Sequence, residues 1–274
     1  MLMFMVSCST VQEKTKDVAS DQKVEELSPN EMLTQAYQFF KEGNDSASIR
    51  LANRVLEIGR ETKNDTLVGR ALTSLCRNSQ RQLDTTRLAE LSAQLSDLAA
   101  TSGNQKWLMY RAHMNAEMWR LIGNMDRAEA FYNESMKISY ATNSMGMYTI
   151  DHFNKSLVST AKGDFETASE LIKKYYQLRF EADSTSEDAY GLIALAYLLE
   201  QQGNYEGAHE VAVATRKLFE QQNLFPEPPD EKPLLMVESS VKEKLDPFTY
   251  HADSMSGASA TVPVLLGKYL GFSE

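Results

Sequence analysis

The chain has 274 residues, of which 42% are hydrophobic, and it carries a net charge of −10 with only two cysteines. This length and apolar content suffice for a folded core, which excludes an intrinsically disordered protein. Acidic residues outnumber basic ones, so the chain has no excess positive charge to bind phosphate groups. A nucleic-acid partner and direct binding to an anionic membrane surface are therefore not expected.

The first eight residues combine an apolar run with a cysteine. Leu2 to Val6 are apolar, Ser7 and Cys8 follow, and residues 9–27 are mostly polar and charged. This order resembles the end of a bacterial lipoprotein signal, in which the cysteine is acylated. Residues 1–8 are therefore predicted to be a truncated signal with its lipidation site at Cys8, and residues 9–27 a flexible tether. The resemblance implies a lipid-anchored protein on the periplasmic side of the cell envelope. If it is accidental, a cytoplasmic protein is the alternative.

Five short turns recur along the chain at one spacing. They lie at residues 43–44, 83–84, 123–124, 163–164 and 203–204, which are 40 residues apart in every case. A small residue stands seven positions before each turn, and another stands five positions after four of the five turns. Such a period is typical of stacked helical hairpins, because each hairpin needs one tight turn and one close helix crossing.

Apolar residues recur within each period at steps of three and four, which predicts two amphipathic helices per hairpin. The first hairpin begins near Ser28, with Pro29 at the first helical position. The predicted helices cover 30–42 and 46–61, 66–81 and 85–101, 106–122 and 125–141, 146–162 and 165–181, and 187–202 and 205–221. The pattern thus predicts an all-α solenoid of about five antiparallel helical hairpins.

Two of the turns carry a more specific pattern. Gly203 to Ala208 reads Gly-Asn-Tyr-Glu-Gly-Ala, and Gly163 to Ala168 reads Gly-Asp-Phe-Glu-Thr-Ala. Both resemble the Gly-x-aromatic-x-x-Ala core of the tetratricopeptide-repeat family, whose usual unit has about 34 residues. The resemblance covers residues 28–222 and implies a right-handed solenoid whose first helices line a concave groove. A different helical-hairpin solenoid is the alternative.

The same resemblance implies which side chains face the groove. These are the residues thirteen, ten, six and three positions before a turn. The predicted partner-binding set is Tyr37, Arg70, Arg77, Tyr110, His113, Glu117, Arg120, Tyr190 and Tyr197. Tyr and Arg contribute strongly to protein interfaces, so the groove is expected to bind an extended peptide or a partner helix. The alternative for any single tyrosine is that it only extends outward from the core.

After Leu224 the period stops. The prolines between residues 226 and 233 predict a linker in which no helix continues, followed by a helix at 234–245. Residues 254–259 are small and expected to be flexible, and residues 262–272 form a short apolar segment. Residues 223–274 are therefore predicted to be a linker and a cap over the last hairpin. The alternative is a latch that occupies the groove, or a docking peptide.

Catalytic patterns are sparse in this sequence. Ser239 to Lys242 fits S-x-x-K without its companion motifs, and residues 257–260 resemble half of a nucleophile elbow. The four histidines show no metal-ligand spacing. A non-enzymatic adaptor or scaffold that binds protein or peptide partners, without metal, cofactor or small-molecule substrate, is the resulting prediction. The alternatives are a cytoplasmic sensor or regulatory module, and an enzyme whose chemistry lies in residues 226–274.

Overall fold

A computed structural model describes residues 27–182 and 188–272. Within them every regular element is an α-helix, which confirms the predicted all-α class. The helices are α1 (Pro29–Lys41), α2 (Asp45–Glu61), α3 (Asp65–Arg81), α4 (Thr85–Ser102), α5 (Gln105–Ile122), α6 (Met125–Ala141), α7 (Met145–Ala161), α8 (Phe165–Glu181), α9 (Ala189–Gln201), α10 (Tyr205–Gln221), α11 (Pro228–Lys244), α12 (Pro247–Ser259) and α13 (Val262–Leu270). The predicted repeat helices agree with α1 to α10 to within two residues at each end.

One backbone arrangement recurs where repeat helices end and the next begin; the turn after α4 differs, because the amide of Gly103 donates to the carbonyl of Ala99. After α1 the amide of Gly43 donates to the carbonyl of Phe40 over 3.0 Å, and the amide of Asn44 donates to that of Phe39 over 2.8 Å. This pattern satisfies the last carbonyls of the helix and requires a left-handed residue at Gly43, whose φ is 75°. The Asn44 side chain then accepts from the amide of Ala47 over 3.2 Å and caps α2.

Left-handed residues recur every 20 residues, at turns within hairpins and at turns between them. Positive φ values occur at positions 43, 63, 83, 103, 123, 143, 163, 203 and 223. Position 183 lies outside the described residues. Polar turns between hairpins, such as Lys63-Asn64, therefore have the same backbone geometry as the glycine-containing turns within hairpins. The sequence pattern has a period of 40 because a Gly-Asn or Gly-Asp pair stands at four of the five turns within hairpins, whereas among the turns between hairpins only residues 103–104 carry one.

Leu83 occupies one of these left-handed positions, with φ at 58° and 54% of its surface exposed. A side chain in this conformation costs about 1–2 kcal/mol, which a substitution by glycine would remove. Glycine also makes the unfolded chain more flexible, and this offsets part of the stabilisation. Leu83→Gly is therefore expected to raise the free energy of unfolding by about 1 kcal/mol in urea denaturation. Gly123→Leu, at an equivalent turn with open space around its α-carbon, should lower it by a similar amount. Changes of the same sign in both variants would contradict this expectation.

The small residues of the repeat lie where helices approach closely. Those before the turns, Ala36, Cys76, Ala116, Ser156 and Ala196, all have 0% exposure, and so do Ser48, Leu88, Ala128, Ala168 and Ala208 after them. Consecutive helices pack against each other within each unit, for example α5 on α6, α7 on α8 and α9 on α10. This packing agrees with a helical-repeat solenoid.

The described residues fall into two compact units that divide between Asn78 and Ser79, inside α3. The first unit holds α1, α2 and most of α3. The second unit holds the remaining helices, and its largest hydrophobic cluster joins α7 to α10 with side chains of α11 and α13. Residues 223–272 therefore belong to the same compact unit as the later hairpins.

The prediction that residues 226–233 form a linker without helix is wrong. Pro228 and Pro229 take the first two positions of α11, where no amide donor is needed. Pro233 lies inside the helix and leaves the carbonyl of Pro229 without its helical donor. The guanidinium of Arg120 donates to that carbonyl over 3.2 Å instead. A contact far away in sequence thus compensates for the proline.

The prediction that residues 254–259 are flexible is also wrong, because they form the end of α12. The Asp246 side chain starts this helix by accepting from the amides of Phe248 and Thr249. α11 packs on α9 and α10, and α12 packs on α10. These helices therefore pack on the last hairpin.

Candidate partner-binding surface

Three of the predicted groove residues lie in the first unit and share one face. The guanidinium carbon of Arg77 lies 5.8 Å from the ring centroid of Tyr37. The Lys41 ammonium lies 5.4 Å from the same centroid. Arg70 donates a hydrogen bond to the side-chain oxygen of Asn30. We call the set Asn30, Tyr37, Lys41, Arg70 and Arg77 the basic–aromatic face.

The repeat period explains why these side chains meet. Asn30 and Arg70 are 40 residues apart, and so are Tyr37 and Arg77, so each pair occupies matching positions in successive repeats. The two pairs are separated by seven residues along each helix, which is close to two turns and keeps them on one side. The Asn30–Arg70 pair and the Tyr37–Arg77 pair therefore follow each other along the same side of α1 and α3.

The basic–aromatic face carries three cations and no carboxylate. Tyr37 is 49% exposed, and none of the three cations forms a salt bridge with a described residue. The carboxylates of the nearby chain have other partners: Glu31 closes a capping box with Ser28, and Glu42 accepts from Gln38 over 2.8 Å. The Tyr37 ring and Lys41 are thus exposed to a partner, and the half-buried Arg70 and Arg77 are partly so.

The second unit covers most of its own predicted groove residues. Glu117 has 0% exposure, and His113 and Tyr197 have 7% and 8%, so the expectation that they face an open groove is wrong. Tyr190 is half-buried and packs edge-on against Phe153. Tyr110 is half-buried as well.

Arg120 is held by the chain itself, at the start of α11. Its guanidinium donates to Glu117 over 2.7 Å and to Asp230 over 2.9 Å, in addition to the carbonyl of Pro229. Only 8% of the Arg120 side chain and 14% of the Asp230 side chain are exposed. The start of α11 therefore occupies the position next to Arg120 that the sequence had assigned to a partner.

Glu117 is ionised although it is buried. Burial raises its pKa, but the charges of Arg120 and His113 and the hydrogen bond from Tyr132 outweigh burial, and the pKa is lowered. The Gln80 side chain also donates to this carboxylate, over 2.7 Å. Glu117 is thus held by hydrogen bonds from Arg120, Tyr132 and Gln80.

His113 also serves the interior rather than a partner. Its Nδ1 lies 2.7 Å from an oxygen of Asp151, which has 0% exposure. The other Asp151 oxygen has no hydrogen-bond partner among the described residues. His152 is bonded to the Tyr148 carbonyl of its own helix over 2.7 Å. The part of the chain that the structure describes contains no cluster of three or more metal-ligating side chains.

Asp230 is expected to make stability depend on pH. Burial raises its pKa from 3.8 to about 6; the charge of Arg120 opposes this shift and that of Glu117 adds to it. Between these values the folded state binds more protons than the unfolded state. The free energy of unfolding therefore falls as the pH rises through this window, and the cost is fully present above it.

Asp230→Asn should remove this cost while keeping an acceptor for Arg120. The difference in free energy of unfolding, Asp230→Asn minus the unmodified chain, is expected to increase by about 1 kcal/mol from pH 5 to pH 7.5 in urea denaturation. Asp246→Asn is the control, because the pKa of Asp246 is lowered by its hydrogen bonds to Thr249 and Phe248 and lies below this range. A pH-independent difference for Asp230→Asn would contradict the expectation.

The candidate catalytic motifs occupy helical positions. Ser239 and Lys242 both lie on the exposed side of α11. Residues 257–259 form the end of α12 and Ala260 caps it, so this half-motif does not lie in a strand-to-helix turn. The hydroxyl of Ser259 donates to carbonyls of its own helix.

No protein-family model matches the chain, and no curated protein is significantly similar to it. None of the described helices is long and apolar enough to cross a lipid bilayer. Cys8, the predicted lipidation site, lies outside the described residues. Function is therefore inferred from the residues and their geometry.

Sequence reasoning missed three residues that shape these surfaces. Asn30 could have been found by subtracting the period from Arg70, and Lys41 by its position one turn after Tyr37. Nothing pointed to Asp230, because it lies 110 residues from Arg120 in a stretch where the prolines argued against a helix.

Proposed function

We propose that the protein is a non-enzymatic adaptor or scaffold that binds protein or peptide partners through the basic–aromatic face. One observation carries the proposal: Tyr37 is half exposed between two cations on a face without a carboxylate. Tyr and Arg are the residue types that dominate binding energy at interfaces. A face held by packed helices also loses little conformational entropy on binding.

The proposal includes a tetratricopeptide-type arrangement of the hairpins. It is supported by the complete burial of the small residues at each crossing and by the Gly-x-aromatic-x-x-Ala pattern in two repeats. In the second unit, the start of α11 already holds Arg120. The first unit is therefore the better candidate for contact with a partner.

Photo-crosslinking in the native host tests this function. A photoreactive phenylalanine analogue at Tyr37 is expected to form a covalent adduct with a partner protein. The same analogue at Arg54, on α2 of the same unit with 56% of its side chain exposed, is the control and should form none. An absent adduct at Tyr37, or an equal yield at Arg54, would contradict the proposal.

We propose further that the chain is tethered through Cys8 on the periplasmic side of a bacterial envelope, which the run Leu2 to Cys8 supports. Labelling with a tagged fatty acid is expected to mark the unmodified chain and not Cys8→Ala. Cys76 is buried and serves as an internal control. An unlabelled wild type would contradict the tether and favour the cytoplasmic alternative.

A further inference from the structure

We infer that the partner segment bound by the basic–aromatic face is acidic and extended, with two carboxylates three residues apart. The inference rests on the proposed adaptor function and specifies its ligand. It follows from the charge of the face and from the spacing of its arginines.

Charge complementarity selects an acidic ligand. The whole chain carries a net charge of −10, yet Lys41, Arg70 and Arg77 contribute three positive charges to a face without a carboxylate. A guanidinium binds a carboxylate through charge-assisted hydrogen bonds, which are stronger than neutral ones. Arg70 uses one donor on Asn30, and Arg77 lies beside the Tyr37 ring, so both have donors left for a ligand.

The spacing of the arginines selects the spacing of the acids. Arg70 and Arg77 are seven residues apart on α3, which corresponds to about 10 Å along a helix axis. A polyproline II segment rises about 3.1 Å per residue and has three residues per turn, so side chains three apart share one side at about 9 Å. Carboxylates at such positions can reach both arginines. The exposed Tyr37 ring is then left to contact the residues between or beside them.

The second unit shows that arginines of this chain bind carboxylates, although the acidic residues there belong to the start of a helix. Glu227 and Asp230 are three residues apart and are separated by two prolines. Glu227 lies 4.0 Å from the guanidinium of Arg81, and Asp230 lies 2.9 Å from that of Arg120. Arginines on α3 and α5 therefore already bind two carboxylates three residues apart, which in this case lie at the helical start of α11.

Fluorescence anisotropy with the full-length chain tests the inference. The probe is a fluorescein-labelled octapeptide with Glu-Pro-Pro-Glu at its centre, and the comparison peptides carry Gln-Pro-Pro-Gln or Glu-Pro-Glu-Pro. The first peptide is expected to bind at least tenfold more tightly than either comparison peptide, and its affinity should fall as salt rises. Arg70→Gln and Arg77→Gln should each weaken it about tenfold, whereas Arg54→Gln on α2 should leave it unchanged.

Several results would overturn the inference. The glutamine peptide could bind as tightly as the glutamate peptide, or Arg54→Gln could weaken binding as much as the substitutions at Arg70 and Arg77. A single-stranded oligonucleotide of matched charge could also bind more tightly than the glutamate peptide. Equal binding of Glu-Pro-Glu-Pro would overturn the spacing. If Tyr37 crosslinks to a protein but the glutamate peptide does not bind, the adaptor proposal stands and the acidic ligand falls. If Tyr37 forms no adduct either, both fall.

Discussion

Arg120→Ala is expected to lower the free energy of unfolding by about 3–5 kcal/mol, the usual effect of removing one partner of a buried ion pair. The substitution leaves Glu117 and Asp230 close together without their shared cation, and Glu117 has no exposed surface. It also removes the donor to the Pro229 carbonyl that Pro233 leaves unpaired. Urea denaturation measures the loss.

Arg216→Ala is the matched control. Arg216 also bridges two carboxylates, Glu231 and Glu238, but all three side chains are 29–34% exposed. Exposed pairs contribute at most about 1 kcal/mol, so this variant should lose little stability. Equal losses at Arg120 and Arg216 would show that burial does not set the cost. Arg120→Met combined with Glu117→Gln should recover part of the loss, because it removes one of the two carboxylates left without a cation.

Gly257→Ala is expected to lower the free energy of unfolding by about 1–3 kcal/mol, although alanine favours helices more than glycine does. A β-carbon at Gly257 would lie 2.3 Å from the backbone oxygen of Glu210, where real contacts do not occur. α12 would have to move away from α10. That movement would disturb the hydrogen bond of 2.8 Å between His209 and Ser254. Thermal and urea unfolding both report the change.

Gly267→Ala gives the opposite expectation and is the control. Gly267 lies in α13, and the nearest atom to an added β-carbon is 3.6 Å away, which is an ordinary contact. The substitution should therefore raise the free energy of unfolding by up to about 1 kcal/mol, the helix-propensity gain. Stabilisation by both alanine variants would show that α12 does not pack on α10 as described.

The two units differ in what they leave open. In the second unit the predicted groove residues serve the interior: Glu117 and Arg120 form a buried ion pair, and His113 pairs with Asp151. In the first unit Tyr37 is exposed, and Arg70 and Arg77 are half-buried. Position in the repeat was thus a good guide to which helix face a residue occupies. It was a poor guide to whether a later part of the chain covers that face.

The sequence by itself determined the helices, the turns and the close crossings. Each of these depends on neighbouring residues: Gly43 permits a left-handed turn, Asn44 caps the next helix, and Ala36 allows a close crossing. Leu83 shows that the period carries the information even where the preferred residue is absent, since the backbone takes the same geometry there.

Only the tertiary structure decided how residues 226–270 fold and which polar residues remain exposed. Taken locally, Pro233 argues against a helix, but Arg120 supplies a donor to the carbonyl that the proline leaves free. The same guanidinium binds Asp230, so the start of α11 lies beside Arg120 on α5. Contacts over more than a hundred residues follow from three-dimensional packing and charge compensation, which have no period in the sequence.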